Sequence, residues 1–303
     1  METIGKIPVL NTRNIVGPTT MMNGLVYNPP KWGKTTFVGS MDRMTRRFGG
    51  KPSLFVAIEL GDGGGTASIQ SLGVDYVMPT DIGELDSVIL ELSRDTKYGG
   101  VILDSSTAMV HQFMKPKALS FPNTRDKDPR RPAGVPGRSD YQTIGELTRQ
   151  RLQSLVNLTM VYKLDKGVRV PDMDRRKHLF ITALERTTID EDSSEIKQIG
   201  PDLPGALMDT ISSVVQTVGY LTIKKVVIPD PSNPKLTTNV LKRTFCVRQD
   251  GKRIAGDRFG LLPDESEPDL EIMYEKYWLP RVNRKEQNAA QEQVRAEEKA
   301  QGS

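Results

Sequence analysis

Cysteine and histidine are scarce in this 303-residue sequence. Cys246 is the single cysteine, and His111 and His178 are the only histidines. A single cysteine excludes an internal disulfide framework and a multi-cysteine metal site, and it fits a reducing compartment. Two histidines argue against a histidine-rich metal centre.

Long apolar runs and a strong charge of one sign are also lacking. No apolar run approaches the ~18 residues that a membrane span needs. The opening residues, METIGKIPVLNTRN, lack the basic-then-apolar pattern of a signal peptide. Forty-two basic and 38 acidic residues leave a net charge of +4, which is too small to name a partner. Together these features predict a cytoplasmic enzyme or binding protein that does not associate with a membrane.

Short apolar segments bounded by turn residues recur along the chain. Residues 24–28, 53–58, 100–104 and 179–184 predict strands that are apolar throughout, with helical patterns between them. Such strands are typical of a mainly parallel sheet with helices on both faces, an α/β fold. Two β-branched runs, at 220–228 and 240–247, predict an antiparallel hairpin at one edge. Residues 114–138 and 163–177 read as irregular or polar connections.

The sharpest local motif is NPPKWGKTT at residues 28–36, between a predicted strand and a predicted helix. It matches the second half of the phosphate-binding loop pattern G-x-x-x-x-G-K-[ST], with Asn28 in the place of the first glycine. Gly33 would let the backbone approach a phosphate, Lys34 would neutralise its charge, and the Thr35 hydroxyl would be a Mg²⁺ ligand. The alternative is an exposed cationic turn. The predicted nucleotide-binding residues are Asn28, Pro29, Pro30, Lys31, Trp32, Gly33, Lys34, Thr35 and Thr36.

Two carboxylates end predicted strands. Asp104 lies at the carboxyl end of an apolar strand, where it would face a ligand crevice and hold Mg²⁺ with Thr35. Glu59 closes the strand at 53–58 and could act as general base toward an attacking water. A helix or turn cap is the alternative for Asp104, and a solvated turn is the alternative for Glu59.

The order and spacing of Lys34-Thr35, Glu59 and Asp104 resemble those of the RecA-like P-loop ATPases. Further segments resemble one branch, the phage RecA-like single-strand annealing and recombination proteins of the Sak type. These segments are SDY at 139–141, FITALER at 180–186, GPDLPG at 200–205 and AGDRFG at 255–260. The resemblance covers about residues 20–265, so we expect a RecA-like ATPase domain at 1–265 and a polar helical or disordered tail at 266–303.

The resemblance implies an ATPase that uses ATP and Mg²⁺ and promotes annealing or pairing of single-stranded DNA in phage recombination. It implies a homo-oligomer, ring or filament, in the cytoplasm of an infected bacterial host, with a single-strand-binding protein as a further partner. Glu59 would be the catalytic base, with Lys34 at the phosphates, and Asp104 the metal-site acid. Arg258 would be a charge supplied across a subunit interface. For a sensor of the γ-phosphate, the chain offers Thr182, Glu185 and Arg186.

A basic loop follows the strand that ends at Asp104. Between 114 and 138, seven basic residues stand against two acidic ones, a net charge of +5. Basic side chains would neutralise DNA phosphates, and Phe113 or Phe121 could stack on bases. The alternative is a solvated proline-rich loop. The predicted DNA-binding residues are Lys115, Lys117, Arg125, Arg130, Arg131 and Arg138.

Two other functions remain open on the sequence. The first is a nucleotide-dependent partner-binding protein that hydrolyses little or no ATP. Two departures from the RecA-like pattern motivate it: Asn28 replaces the loop glycine, and the sensor position lacks the amide that RecA-like proteins usually have. The second is a small-molecule or nucleotide kinase that uses the same loop, although no arginine-rich lid is evident.

Overall fold

The computed structural model describes residues 21–58, 70–121, 134–165, 168–190, 192–230 and 233–280. The strands are β1 Asn23–Asn28, β2 Ser53–Ala57, β3 Asp75–Val77, β4 Gly100–Asp104, β5 Tyr162–Asp165, β6 Val168–Pro171, β7 His178–Ile189, β8 Ile196–Pro201, β9 Thr217–Asp230, β10 Asn233–Cys246, β11 Gly256–Asp257 and β12 Glu265–Ser266. The helices are α1 Lys34–Gly49, α2 Ile82–Arg94, α3 Ser106–Met109, α4 Lys115–Ser120, α5 Arg138–Asn157, α6 Ala206–Val214 and α7 Leu270–Met273. π-Helical turns at Val110–Met114 and Tyr274–Trp278 and a 3₁₀ turn at Leu158–Met160 extend three of them.

One large sheet organises the fold. Its order is β12-β10-β9-β1-β7-β4-β2-β3, with β11 paired to β9 and β8 to β7. All pairs from β9 to β3 are parallel, whereas β9 and β10 pair antiparallel over residues 220–246. The predicted α/β fold class, a mainly parallel sheet with helices on both faces and an antiparallel hairpin at one edge, is confirmed.

The central strands are apolar because both of their faces are covered. Every residue of β1 and β2 is buried. On one face, Phe37 and Met41 of α1 pack against Phe55 and Phe180. On the other face, helices α2, α5 and α6 cover the alternate side chains of the same strands. Parallel strands covered on both faces lose the polar-apolar alternation of half-exposed strands, which is why a sequence pattern of short apolar runs identifies them.

The first part of the predicted polar tail is helical and packs on α1. Leu270, Met273 and Trp278 are buried in the same cluster as the apolar face of α1. Ion pairs on the outer surface also join α1 to this segment. Arg43 Nε lies 3.1 Å from Glu271 Oε2, and Arg47 Nη2 lies 2.6 Å from Glu275 Oε1. Residues up to Leu279 therefore contribute to the core beside α1. The division of the chain at residue 265 stays a prediction.

Polar connections in the sequence conceal regular structure. The expectation of an irregular stretch from residue 114 is wrong at its start, because Lys115–Ser120 is helical and Pro116 lies in the first turn, where proline is tolerated. The polar stretch at 163–177 contains most of the β5–β6 hairpin, which begins at Tyr162. Neither element has an apolar face that a local pattern could reveal. No helix within the described ranges has the length and hydropathy to cross a bilayer.

Candidate functional site

The loop between β1 and α1 presents an uncapped helix N-terminus. Gly33 stands at the N-cap with φ 88°, and no side chain caps the first turn of this 16-residue helix. Lys31 is the second loop residue with a positive φ, at 66°. A left-handed conformation at the glycine of the G-K pair turns the backbone into α1. The first backbone N–H groups of α1 therefore point out of the helix without partners in it, which is the arrangement that binds anions.

Lys34 points back over this loop. Its Nζ donates hydrogen bonds to the carbonyl oxygens of Asn28, at 2.8 Å, and Pro29, at 2.9 Å. Burial lowers the pKa of Lys34 from its ordinary value of 10.5 to about 8, although Asp104 and Glu185 act in the opposite direction. A polyphosphate bound at this loop would stabilise the charged form of Lys34.

Asn28 does not occupy a position that requires glycine. It is the last residue of β1, its side chain is buried, and its φ lies outside the left-handed region. Its Nδ2 donates to the carbonyl oxygen of Leu221 at 2.8 Å, and its Oδ1 accepts from the backbone N–H of Leu221. The amide thus continues the pairing of β1 with β9 at the point where the loop begins. Only its backbone carbonyl faces the candidate site, through Lys34.

Asp104 joins the loop helix to the sheet. Its Oδ2 accepts a hydrogen bond from Thr35 Oγ1 at 2.7 Å, and its Oδ1 accepts one from Thr182 Oγ1 at 2.5 Å. Thr182 is fully buried on β7, the strand between β1 and β4. The peptide bond from Asp104 to Ser105 is cis. The three predicted residues Lys34, Thr35 and Asp104 therefore lie together at the carboxyl edge of the parallel strands.

The Thr35–Asp104 pair suits Mg²⁺. A hydroxyl and a carboxylate are the hard oxygen donors this ion prefers, and Mg²⁺ takes few protein ligands when phosphates and waters complete its shell. The part of the chain that the structure describes has no cluster of three or more His, Cys, Asp or Glu residues that could hold a metal by protein groups alone. The pair therefore fits a metal that arrives with a polyphosphate rather than a resident one.

Glu59, the predicted general base, lies outside the described residues. The residue before it, Ile58, is described and lies beside Asp104. Its backbone N–H donates to the Asp104 carbonyl at 2.7 Å, and the N–H of Ser105 donates to the Ile58 carbonyl at 3.2 Å. The role of Glu59 stays a prediction.

Glu185 and Arg186, two of the predicted sensor residues, form ion pairs in the outer half of β7, which pairs with β8. Glu185 Oε2 is 2.7 Å from Arg253 Nη1, and Arg253 also lies over the ring of Tyr220, at 4.7 Å from its centroid. Arg186 Nη1 is 3.7 Å from Asp202 Oδ1. Of the sensor candidates, only Thr182 contacts Asp104 directly. Arg253 carried no signal in the sequence, since its pairing with Glu185 spans 68 positions.

Arg258, the predicted trans-acting residue, contacts the end of α6 in its own chain. Its guanidinium Nη2 donates to the Ser212 carbonyl, one of the last four carbonyls of that helix, and its backbone N–H donates to Gln216 at 2.9 Å. The last four carbonyls of a helix have no partner within it, and the guanidinium of Arg258 provides one for Ser212. A role across a subunit interface stays a prediction.

The predicted DNA-binding residues are divided between two helices and a part outside the described residues. Lys115 and Lys117 lie on α4, and Arg138 is the first residue of α5. Lys117 Nζ lies 5.3 Å from the centroid of the exposed Phe121 ring. The expectation that Phe113 could stack on bases is wrong, because its side chain is buried in the core. Arg125, Arg130 and Arg131 fall outside the described residues.

Comparison with known proteins identifies similar folds at low sequence identity. A KaiC-like protein from the hyperthermophilic archaeon Pyrococcus horikoshii is 15% identical, with 77% of this chain and 80% of that chain covered and a TM-score of 0.39. The flagellar accessory protein FlaH from Methanocaldococcus jannaschii is 9% identical, with 80% of this chain and 83% of that chain covered and a TM-score of 0.37. No protein-family model and no curated protein matches the sequence.

Proposed function

We propose that this chain is a Mg²⁺-dependent P-loop ATPase of the RecA-like kind that acts on single-stranded DNA in phage recombination, in the manner of the Sak-type annealing proteins. The observation that carries the ATPase part is the hydrogen bond of 2.7 Å between Thr35 and Asp104 beside an uncapped helix N-terminus and Lys34. This set brings an anion site, a cation and a Mg²⁺ site to one edge of the sheet.

The chemistry of the site follows from these groups. The first N–H groups of α1 and the Lys34 ammonium would bind the β- and γ-phosphates of ATP. Thr35 and Asp104 would hold Mg²⁺, which neutralises charge that develops on the phosphates during transfer to water. Asp104 is kept in place by Thr182, so that its second oxygen stays directed at Thr35.

The DNA part rests on the surface of α4 and on the start of α5. α3 and α4 follow β4 directly, so the exposed Lys117 and Phe121 belong to the segment that leaves the sheet at Asp104. A cation beside an exposed aromatic ring is the combination that binds single strands, by phosphate neutralisation and base stacking. We further propose a homo-oligomer, ring or filament, with a single-strand-binding protein as an additional partner.

Hydrolysis of ATP with and without single-stranded DNA tests this proposal. We expect wild-type hydrolysis to rise with DNA, Lys34→Ala to lose hydrolysis in both conditions, and the double variant K115Q/K117Q to keep basal hydrolysis but lose most of the stimulation. The matched control is K163Q/K252Q, which removes two exposed lysines on β5 and beyond β10 and should be stimulated like the wild type.

Each failure identifies a different part of the proposal. Normal hydrolysis by Lys34→Ala would show that the assignment of the site is wrong. Hydrolysis that DNA leaves unchanged would remove the recombination role and leave the ATPase. ATP binding without turnover would favour the partner-binding alternative.

The pH dependence of nucleotide binding gives a second test. With a pKa of about 8, Lys34 is protonated at pH 7 and largely neutral at pH 9 in the empty protein. A bound polyphosphate favours the charged amine, so MgATP binding should take up close to one proton at pH 9 and almost none at pH 7. Affinity should therefore fall as the pH rises above about 8. Titration calorimetry in buffers of different ionisation enthalpy measures the uptake, and equal uptake at both pH values would contradict the role of Lys34.

A further inference from the structure

Arg243 belongs to none of the motifs in the sequence, and the β9–β10 hairpin brings it to the loop between β1 and α1. Leu221 and Phe245 form an opposed pair in this hairpin and are buried against α1, with the Phe245 ring centroid 4.8 Å from that of Phe37. Ile223 and Arg243 are the next opposed pair on the same face, because strand side chains alternate with a period of two. Arg243 therefore lies on the face of the hairpin that packs on α1, two residues along β10 from the buried Phe245.

The guanidinium of Arg243 lies against the loop. A Cβ atom built on Gly33 would be 3.7 Å from both Nε and Cζ of Arg243, which is van der Waals contact. Arg243 is exposed, and no described residue forms an ion pair or a side-chain hydrogen bond with it. The described part of the chain does not use the hydrogen-bond donors of the Arg243 guanidinium. Its charge is therefore available to a ligand bound at the loop.

The sheet order shows which side of the loop Arg243 occupies. β1, from which the loop emerges, lies between β7 and β9. β4, with Asp104, lies beyond β7, whereas β10, with Arg243, lies beyond β9. The metal-site acid and Arg243 thus approach the loop from opposite sides, and their charges do not neutralise each other.

We infer that Arg243 is a nucleotide-binding residue that contacts the phosphates of a bound nucleoside triphosphate in cis, from the side of the loop opposite to Asp104. This inference rests on the proposed ATP binding and deepens it. A nucleoside triphosphate carries more negative charge than Lys34 and one Mg²⁺ neutralise, and guanidinium groups form strong charge-assisted hydrogen bonds with phosphate oxygens. The hairpin would then act as part of the nucleotide site, in addition to closing the edge of the sheet.

Equilibrium binding of MgATP to three variants tests the inference. Arg243→Gln should weaken binding by about 10- to 100-fold, as expected for the loss of a hydrogen bond to a charged group, and should make binding less sensitive to salt. Arg243→Lys keeps the charge and should retain most of the affinity. The matched control is Lys242→Gln, which removes the same charge from the adjacent position of β10, on the opposite face of the hairpin, and should bind like the wild type.

The outcomes separate the inference from the proposed function. If the wild type and Lys242→Gln bind MgATP and Arg243→Gln binds equally well, the inference is wrong and the proposed function stands. Equal weakening in Arg243→Lys and Arg243→Gln, with unchanged salt dependence, would show a packing role on Gly33 and would also overturn it. If the wild type does not bind MgATP, the proposed function fails and the inference with it. Thermal unfolding of each variant, which should match the wild type because Arg243 is exposed, confirms that the comparison is made on folded protein.

Discussion

Asp104→Asn is expected to lower Mg²⁺-dependent ATP hydrolysis by at least about 100-fold, because a Lewis acid that neutralises phosphate charge contributes several kcal/mol to the transition state. Asparagine has the shape of aspartate, so its amide can still interact with the Thr35 and Thr182 hydroxyls that Asp104 bonds. The carboxylate charge that we propose holds Mg²⁺ is lost. The fold should therefore be retained while turnover is lost.

The metal dependence of this variant distinguishes its role from a general loss of stability. We expect nucleotide binding measured without Mg²⁺ to be similar in the wild type and Asp104→Asn, whereas Mg²⁺ should strengthen binding only in the wild type. The control is Asp86→Asn on α2, whose carboxylate forms an exposed ion pair with Arg151 at 2.8 Å, away from the loop. Exposed pairs contribute about 0–1 kcal/mol, so this variant should hydrolyse ATP normally. Full Mg²⁺-dependent hydrolysis by Asp104→Asn would show that Asp104 is a structural cap rather than a metal ligand.

The sequence predicts the centre of the sheet well because burial on both faces leaves a local signature. The apolar runs at 24–28, 100–104 and 179–184 correspond to β1, β4 and the inner half of β7. Since these strands are parallel, their carboxyl ends meet at one edge, and this places Thr35 near Asp104 without further information. The hydrogen bond between the two side chains follows from that topology. Their function as Mg²⁺ ligands stays a prediction.

Exposed elements and contacts across the chain could not be predicted in this way. The strand β8 pairs with the outer half of β7, and most of its residues are at least partly exposed, so it has no apolar run. The approach of the Arg243 side chain to Gly33 links positions more than 200 apart in the sequence and depends on the register of the β9–β10 hairpin. Such contacts depend on strand register, which local composition does not specify.

At Asn28, by contrast, the sequence pattern suggests a function for a side chain that the fold uses for a different purpose. The phosphate-binding pattern has glycine at this position, and the match to that pattern places Asn28 among the predicted nucleotide-binding residues. In the structure, the amide of Asn28 instead satisfies both backbone groups of Leu221 at a buried position of β9. Glycine would leave those groups unpaired where water does not reach them.

Asn28→Gly is therefore expected to lower the free energy of unfolding by about 2–4 kcal/mol, from two buried groups left without partners and the added freedom of glycine in the unfolded chain. Chemical denaturation of the wild type, Asn28→Gly and Asn28→Ala measures this. Alanine removes the same two hydrogen bonds without the glycine entropy, so Asn28→Ala should be destabilised slightly less. ATP hydrolysis by Asn28→Gly at a temperature where it is folded should not exceed that of the wild type, because the backbone at residue 28 is extended in β1 and gains nothing from glycine. A variant as stable as the wild type and faster in hydrolysis would show that this position belongs to the phosphate-binding loop and that the pairing with Leu221 is incidental.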